Sequence, residues 1–142
     1  MSAQSLFKSL AKLLVFLRTG AVIVAALTCG SVHALGLGDL QSEPQLGKQF
    51  SGRVEVVGYE GSLESLRVRR LYGDDAKKLG YKLLTNHFPL TVELQEENGR
   101  AFVVLNSKQS LKEPYVELLL EIYWDGGSVV RQYVLLAGEP TH

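Results

Sequence analysis

Residues 114–136 read PYVELLLEIYWDGGSVVRQYVLL and carry the clearest strand signal in the chain. After Pro114, apolar side chains recur at every second position, which is the period of a β-strand and not of a helix. The residues that share this apolar face are Val116, Leu118, Leu120, Ile122 and Trp124. The Asp-Gly-Gly-Ser segment 125–128 is typical of a turn, so Val129 to Leu136 is predicted to return as an antiparallel strand.

A second hairpin is predicted just upstream. Leu90 to Leu94 alternates apolar and polar residues, Asn98-Gly99 is the strongest short hairpin signal, and Ala101 to Leu105 has the pattern of the partner strand. Two further strands are predicted from Gln49 to Gly58, which is rich in β-branched residues, and from Leu66 to Leu71, where apolar and basic residues alternate. These segments give the chain six or seven short strands.

One short helical turn is predicted between the strands. Asp74 to Leu79 begins with two acids and ends with lysines, which suits the helix dipole, and Gly80 is placed to end the helix. The glycine-rich residues 35–39 are predicted to be a flexible lead-in to the first strand. The expected fold class is all-β, a small antiparallel β-sandwich of two Ig-like sheets, with a small barrel as the second architecture.

The first 34 residues have the pattern of a helical, cleavable signal peptide. Basic residues come first, an apolar run spans residues 21–27, and small residues precede the predicted cleavage between Ala34 and Leu35. An uncleaved anchor and lipid attachment at Cys29 are the alternatives. The predicted organisation is therefore a signal peptide over 1–34 and one domain over 35–142, located in the periplasm with no stable membrane span after cleavage.

The composition limits the possible functions of that domain. Three of the 15 basic residues and none of the 15 acidic residues precede Leu35, so residues 35–142 carry a formal charge of about −3. A mildly acidic domain lacks the basic surface that binds nucleic acid. Cys29, the only cysteine, falls within the predicted signal peptide. The exported domain is expected to have no disulfide and to depend on its hydrophobic core.

The domain offers few groups for catalysis. Its histidines are His87, in a predicted loop, and His142, the last residue, and neither is accompanied by a cysteine nucleophile. The acidic pairs 74–75 and 96–97 are explained by helix charge and by the solubility of a hairpin end. We therefore expect no catalytic residue, no metal and no cofactor, and we do not expect an enzyme.

Five residues are candidates for a partner surface. Arg67, Arg69 and Arg70 form a basic cluster that suits either a solvated strand face or an acidic partner such as the cell wall. Trp124 and Tyr115 lie on the long strand. A tryptophan at the end of a strand either packs against the core or stacks on a sugar, and both interpretations stay open.

Three parts of the chain share their order and spacing with a known family: residues 34–40, residues 63–69 followed by a helical piece and Gly80, and residues 111–124 with 130–136. On these residues the chain resembles the N-terminal periplasmic domain of the FimV/HubP family. Members of that family are long inner-membrane proteins that organise cell poles and support type IV pilus assembly and twitching motility. They carry a peptidoglycan-binding LysM module, a transmembrane helix and an acidic cytoplasmic region after this domain.

The resemblance implies a non-enzymatic module that binds another envelope protein. The sequence ends at His142 directly after the domain, so wall attachment through LysM and cytoplasmic recruitment are not expected. The alternative function is that of a periplasmic domain that binds peptidoglycan or another glycan. An exposed strand edge is the expected contact surface for a protein partner.

Overall fold

The computed structural model describes residues 34–84 and 88–139, together with Lys8. The predicted signal peptide, except Lys8 and Ala34, lies outside the described residues, as do His87 and His142. Within the described part the chain forms seven strands and one α-helix, with a 3-10 turn at Leu63–Ser65. The elements are β1 Gly36–Ser42, β2 Gln49–Val57, β3 Arg67–Leu71, α1 Asp74–Lys78, β4 Thr91–Glu97, β5 Arg100–Ser110, β6 Tyr115–Trp124 and β7 Gly127–Leu136.

The strands form two antiparallel sheets. The four-stranded sheet has the order β1-β2-β5-β4, and the three-stranded sheet has the order β3-β6-β7. Inward-facing side chains of both sheets form the main core, which includes Phe50, Val54, Leu105, Leu118 and Leu120, each 2% exposed or less. Complete burial of such a side chain stabilises the fold by about 1.5–3 kcal/mol. The prediction of a small two-sheet β-sandwich is confirmed.

A second, smaller core lies on the other face of the three-stranded sheet. Leu71 of β3, Ala76 of α1 and Leu119 of β6 are all buried there. The N–H of Gly80 donates to the Lys77 carbonyl at 2.9 Å, and Gly80 has a φ of 83°, which ends α1 as predicted. Because α1 covers this face, β6 is buried on both sides.

The predicted flexible lead-in is wrong, because residues 36–42 form strand β1. The register of β1 against β2 shifts between Leu37 and Leu40, which marks a bulge at Gly38. A Cβ added at Gly38 would lie 3.2 Å from the Glu55 carbonyl oxygen, so glycine permits a close approach of the two strands. Glycine in a strand often marks such a bulge, and here it hides the strand pattern.

Turn geometry explains two further outcomes. Asn98 and Gly99 have φ values of 53° and 74°, as the predicted tight hairpin requires. The turn predicted over 125–128 is confirmed in position but is shorter than predicted, because Trp124 already pairs with Gly127 and the loop consists of Asp125 and Gly126. The expectation of a single helical segment also missed the 3-10 turn, in which the Ser62 hydroxyl accepts from the Glu64 N–H at 3.2 Å.

Candidate functional site

The five residues predicted as a partner surface do not meet on one face. Arg67 pairs with Tyr123, and Arg69 pairs with Glu121, so both arginines lie on the outer face of the three-stranded sheet. Tyr115 and Trp124 occupy opposite ends of β6. A strand rises about 3.3 Å per residue, which places these two residues about 30 Å apart. The structure brings Arg69 close to Trp124, and Tyr115 belongs to a different region.

Arg70 faces the opposite way from its two neighbours. It pairs with Leu120 of the main core, and residues directly opposite each other in a sheet share a face. The Arg70 side chain is partly buried and points between the two sheets. The expectation that the three arginines form one solvated face is therefore wrong for Arg70, because consecutive strand residues alternate between faces.

The two outward arginines already have partners. The Arg69 Nε donates to the Glu121 carboxylate at 2.5 Å, and this interaction raises the pKa of Arg69. The Arg69 guanidinium also lies 5.7 Å from the centre of the Tyr123 ring. The Arg67 Nη1 donates to the Glu64 and Leu66 carbonyl oxygens at 2.7 and 2.8 Å. Both side chains are therefore committed to local contacts.

Tyr115 helps to hold a buried carboxylate. Its hydroxyl donates to Glu117 at 2.7 Å, and this hydrogen bond is the main reason why the pKa of Tyr115 is raised. Glu117 also accepts from the Leu84 N–H at 2.6 Å and from the Gln132 side-chain amide at 3.3 Å. Because the loop before β4 is tied to β6 through Glu117, the contacts of Tyr115 serve the fold.

Trp124 lies beside a shallow hollow at the other end of β6. The hollow has a volume of about 480 Å³, and its lining includes Arg69, Glu121, Tyr123 and Trp124. The indole is partly buried and packs against the main core. A Cβ added at Gly126 would lie 2.7 Å from the Trp124 Nε1, so the indole lies close against the turn. Aromatic rings next to charged groups are suited to stacking and hydrogen bonding with a sugar.

A larger cleft opens along one side of the sandwich, where β3 and β4 are the neighbouring sheet edges. Its volume is about 870 Å³, and the apolar part of its lining includes Val68, Phe88, Leu90 and Val92. This cleft was not predicted from the sequence, because its position depends on which strands become sheet edges. One signal was Pro89, which has no N–H to donate and lies just before Thr91, where the pairing of β4 with β5 begins.

The cleft contains a basic side chain whose hydrogen bonding is incomplete. The Arg70 Nη1 donates to the Phe88 carbonyl oxygen. The Arg70 Nε is buried and has no hydrogen-bond partner among the described residues. Burial in this apolar setting lowers the pKa of Arg70. Two further basic residues, Arg69 of β3 and Lys108 of β5, also line the cleft.

The opposite side of the sandwich is closed by side-chain contacts between β1 and β7. The Arg131 guanidinium donates to the Leu37 carbonyl oxygen at 2.7 Å and to the Asp39 carboxylate at 2.6 Å. The Tyr133 hydroxyl donates to the Gly38 carbonyl oxygen at 2.7 Å, and burial raises the pKa of Tyr133 to about 12. The two sides of the sandwich therefore differ in their contacts. The β1–β7 side is joined by the Arg131–Asp39 salt bridge and by hydrogen bonds from Arg131 and Tyr133. The β3–β4 side has the cleft and is joined by the hydrogen bond from Arg70 to the Phe88 carbonyl oxygen.

No membrane-crossing helix is found within residues 34–84 and 88–139, because no helix there is both long and apolar enough.

Comparison with known proteins agrees with this architecture. The family model of the FimV N-terminal Ig-like domain matches residues 35–140. The chain is also similar to the motility hub protein FimV from two strains of Pseudomonas aeruginosa, with 26% identity over 137 residues in each case. The alignments cover 91% of this chain and 15% or 14% of the relative, so the chain spans about one seventh of those proteins. No solved structure matches significantly. The chain belongs to the FimV N-terminal Ig-like domain family.

Proposed function

We propose that this protein is an exported, non-enzymatic interaction module of the bacterial envelope that binds another envelope protein in the context of motility, pilus assembly or cell-pole organisation. The relationship to a protein named as a motility hub supports this proposal and suggests an envelope location. The family is not known to be enzymatic. A partner-binding role therefore fits the family better than a catalytic role does.

The open side of the sandwich is the observation that carries the proposal. Both β3 and β4 are edge strands in the sheet order of the described residues, and a cleft of about 870 Å³ lies between them. Edge strands and apolar clefts are surfaces on which proteins capture extended segments of their partners. The β1–β7 side, in contrast, is bridged by Arg131 and Tyr133.

An affinity purification from the native envelope tests this proposal. The full chain is tagged at its C-terminus and produced in its own host, and the proteins retained after mild crosslinking are identified by mass spectrometry. The control is an unrelated exported β-sandwich of similar size. We expect selective recovery of motility, pilus or polar proteins. Recovery of the same proteins with the control, or of none in repeated experiments, would contradict the proposal.

Binding of a cell-wall glycan is the second candidate function, and the hollow beside Trp124 favours it. Trp124 also supports the core, so its replacement affects folding as well as binding. Tyr123 is 38% exposed and lines the same hollow, which makes Tyr123→Ala the cleaner variant. Sedimentation with purified peptidoglycan is the measurement. If the wild type pellets and both Tyr123→Ala and Trp124→Ala pellet equally well, the hollow is not the binding site.

A further inference from the structure

Two arginines occupy equivalent positions on the two edges of the three-stranded sheet. Arg70 of β3 pairs with Leu120, and Leu120 pairs on its other side with Arg131 of β7. The three residues therefore form one row across the sheet, with both arginines directed between the sheets. Each arginine lies next to an edge of the four-stranded sheet, Arg131 beside β1 and Arg70 beside the segment that leads into β4.

Arg131 shows how such an arginine is satisfied in this fold. One nitrogen donates to a backbone carbonyl, that of Leu37, and another donates to a carboxylate, that of Asp39. The guanidinium also lies 5.2 Å from the centre of the Tyr133 ring. Charge-assisted hydrogen bonds of this kind are among the strongest that side chains form.

Arg70 has the same arrangement except for the carboxylate. Its Nη1 donates to a backbone carbonyl, that of Phe88, and its guanidinium lies 5.9 Å from the centre of the Tyr72 ring. No salt bridge involves Arg70 among the described residues, and its buried Nε has no partner there. Removing an arginine from water without an anionic partner costs free energy. A carboxylate that binds the guanidinium offsets this cost.

The surroundings of Arg70 combine positive charge with apolar surface. Among the described residues that line the cleft none is acidic and three are basic, namely Arg69, Arg70 and Lys108. The neighbouring Arg69 is already paired with Glu121, so it does not compete for an anion. Val68, Phe88, Leu90 and Val92 provide the apolar part of the lining. A free small anion would leave that apolar surface unused, and the same applies to the small, polar stem peptides of the cell wall.

We propose that the cleft between β3 and β4 binds an extended segment of a partner protein in which an Asp or Glu carboxylate is flanked by large apolar side chains. The carboxylate pairs with the Arg70 guanidinium as Asp39 pairs with Arg131, and the flanking side chains pack on the apolar lining. This inference rests on the proposed function, because it specifies the kind of segment that the envelope partner presents. β3 and β4 each end their sheet in the order of the described residues, so the segment lies along two sheet edges.

Selection from a library of short random peptides is the first test. The probe protein is the exported form recovered from cells that express the full chain, and Arg70→Gln is selected in parallel. We expect wild type to enrich peptides with one acidic residue between Val, Leu, Ile or Phe, and we expect Arg70→Gln to lose the acidic preference. Failure to enrich acidic peptides, or equal enrichment by both proteins, would overturn the proposal.

Titration of the isotopically labelled protein, followed by NMR, locates the contact. The most enriched peptide is compared with its copy in which Gln replaces the acidic residue. We expect the acidic peptide to bind about tenfold more tightly and to shift the Arg70 Nε–H signal and the amide signals of Val68, Leu90 and Val92. Arg100→Gln is the matched control, because Arg100 is bound to Glu55 on an exposed face. Arg100→Gln should keep the tenfold preference for the acidic peptide. Arg70→Gln should lose this preference, and Arg70→Lys should keep part of it.

Two comparisons separate this inference from the proposed function. If the envelope purification recovers the same partners with wild type and with folded Arg70→Gln, the protein-binding function stands and the cleft proposal is wrong. If neither protein recovers a specific partner, the proposed function itself fails. Soluble peptidoglycan fragments that bind in an Arg70-dependent manner, without enrichment of acidic apolar peptides, would overturn the proposal in favour of a cell-wall ligand.

Discussion

Leu71 and Leu119 are register partners on β3 and β6, and they are only 1% and 0% exposed although both point away from the main core. They are buried because α1 packs Ala76 against them, with Tyr81 and Leu83 at the margin. The outer face of the three-stranded sheet is therefore covered around Leu71 and Leu119.

The second core is expected to contribute strongly to stability. Leu119→Ala should lower the free energy of unfolding by about 2–5 kcal/mol, because it removes a buried side chain and leaves a cavity. Val134→Ala is the control, since Val134 belongs to the same sheet and is 48% exposed. Urea denaturation measures both effects. A loss for Leu119→Ala that is no greater than that for Val134→Ala would mean that α1 does not form a packed core on this face.

Gly126 is expected to be required for the position of Trp124. In Gly126→Ala the new methyl group would lie 2.7 Å from the indole Nε1, so the ring must move, and overpacking of this kind costs about 1–3 kcal/mol. Gly138→Ala is the control, because no heavy atom lies within 4 Å of its added Cβ. Tryptophan fluorescence and urea denaturation are the measurements. An unchanged emission spectrum in Gly126→Ala would contradict the contact.

Tyr133 is expected to make the stability of the fold depend on pH in the alkaline range. Burial raises its pKa from 10.0 to about 12, so the folded state holds the phenol proton more tightly than the unfolded state does. The resulting stabilisation is fully present below pH 10 and is lost as the pH rises from about 10 towards 12. Tyr133→Phe should cost about 0.5–1.5 kcal/mol at neutral pH through the lost hydrogen bond to Gly38.

The difference in unfolding free energy between wild type and Tyr133→Phe separates the contribution of Tyr133 from those of the other tyrosines. Burial and Glu96 raise the pKa of Tyr59, and Glu117 raises that of Tyr115, so both also affect stability at high pH. The difference in unfolding free energy should stay constant below pH 10 and shrink above it. A difference that is unchanged up to the highest measurable pH would show that Tyr133 titrates normally.

Glu117 is expected to be structurally important despite its charge. It is 5% exposed and accepts hydrogen bonds from the Tyr115 hydroxyl and the Leu84 N–H. Glu117→Gln should cost about 1.5–3 kcal/mol, because hydrogen bonds to a charged acceptor are replaced by weaker ones. The exposed Glu113→Gln should change the unfolding free energy by less than about 0.5 kcal/mol. Equal effects of the two substitutions would argue against the buried carboxylate as an anchor.

Cleavage between Ala34 and Leu35 stays a prediction that one mass measurement tests. The intact mass of the exported protein should correspond to a chain that begins at Leu35. Ala34→Asp should cause the precursor to accumulate, because the position before the cleavage needs a small neutral residue. Leu35 lies next to β1 and packs against the main core, so cleavage leaves the first strand intact. A mature N-terminus elsewhere would show that the site is misplaced.

Local physics explains why much of the fold was predictable. The alternation from Val116 to Trp124 and the Asn98-Gly99 turn depend on neighbours in sequence, and so does the helix that ends at Gly80. These signals identified the hairpins, the short helix and the two-sheet class. The strand at residues 36–42 was missed because its glycines serve a bulge against β2, a contact that only the partner strand reveals.

The sequence by itself determined that residues 35–140 form a small antiparallel sandwich, because alternation, turns and helix ends are encoded within a few residues. The tertiary structure alone decided that β3 and β4 become neighbouring edges and that Arg70 turns inward beside Phe88. It also decided that Arg131 binds Asp39, whereas Arg70 has no carboxylate partner among the described residues. Those facts depend on pairings between segments that are far apart along the chain. Local residue patterns do not specify which distant segments become neighbours, so the candidate site is a product of topology.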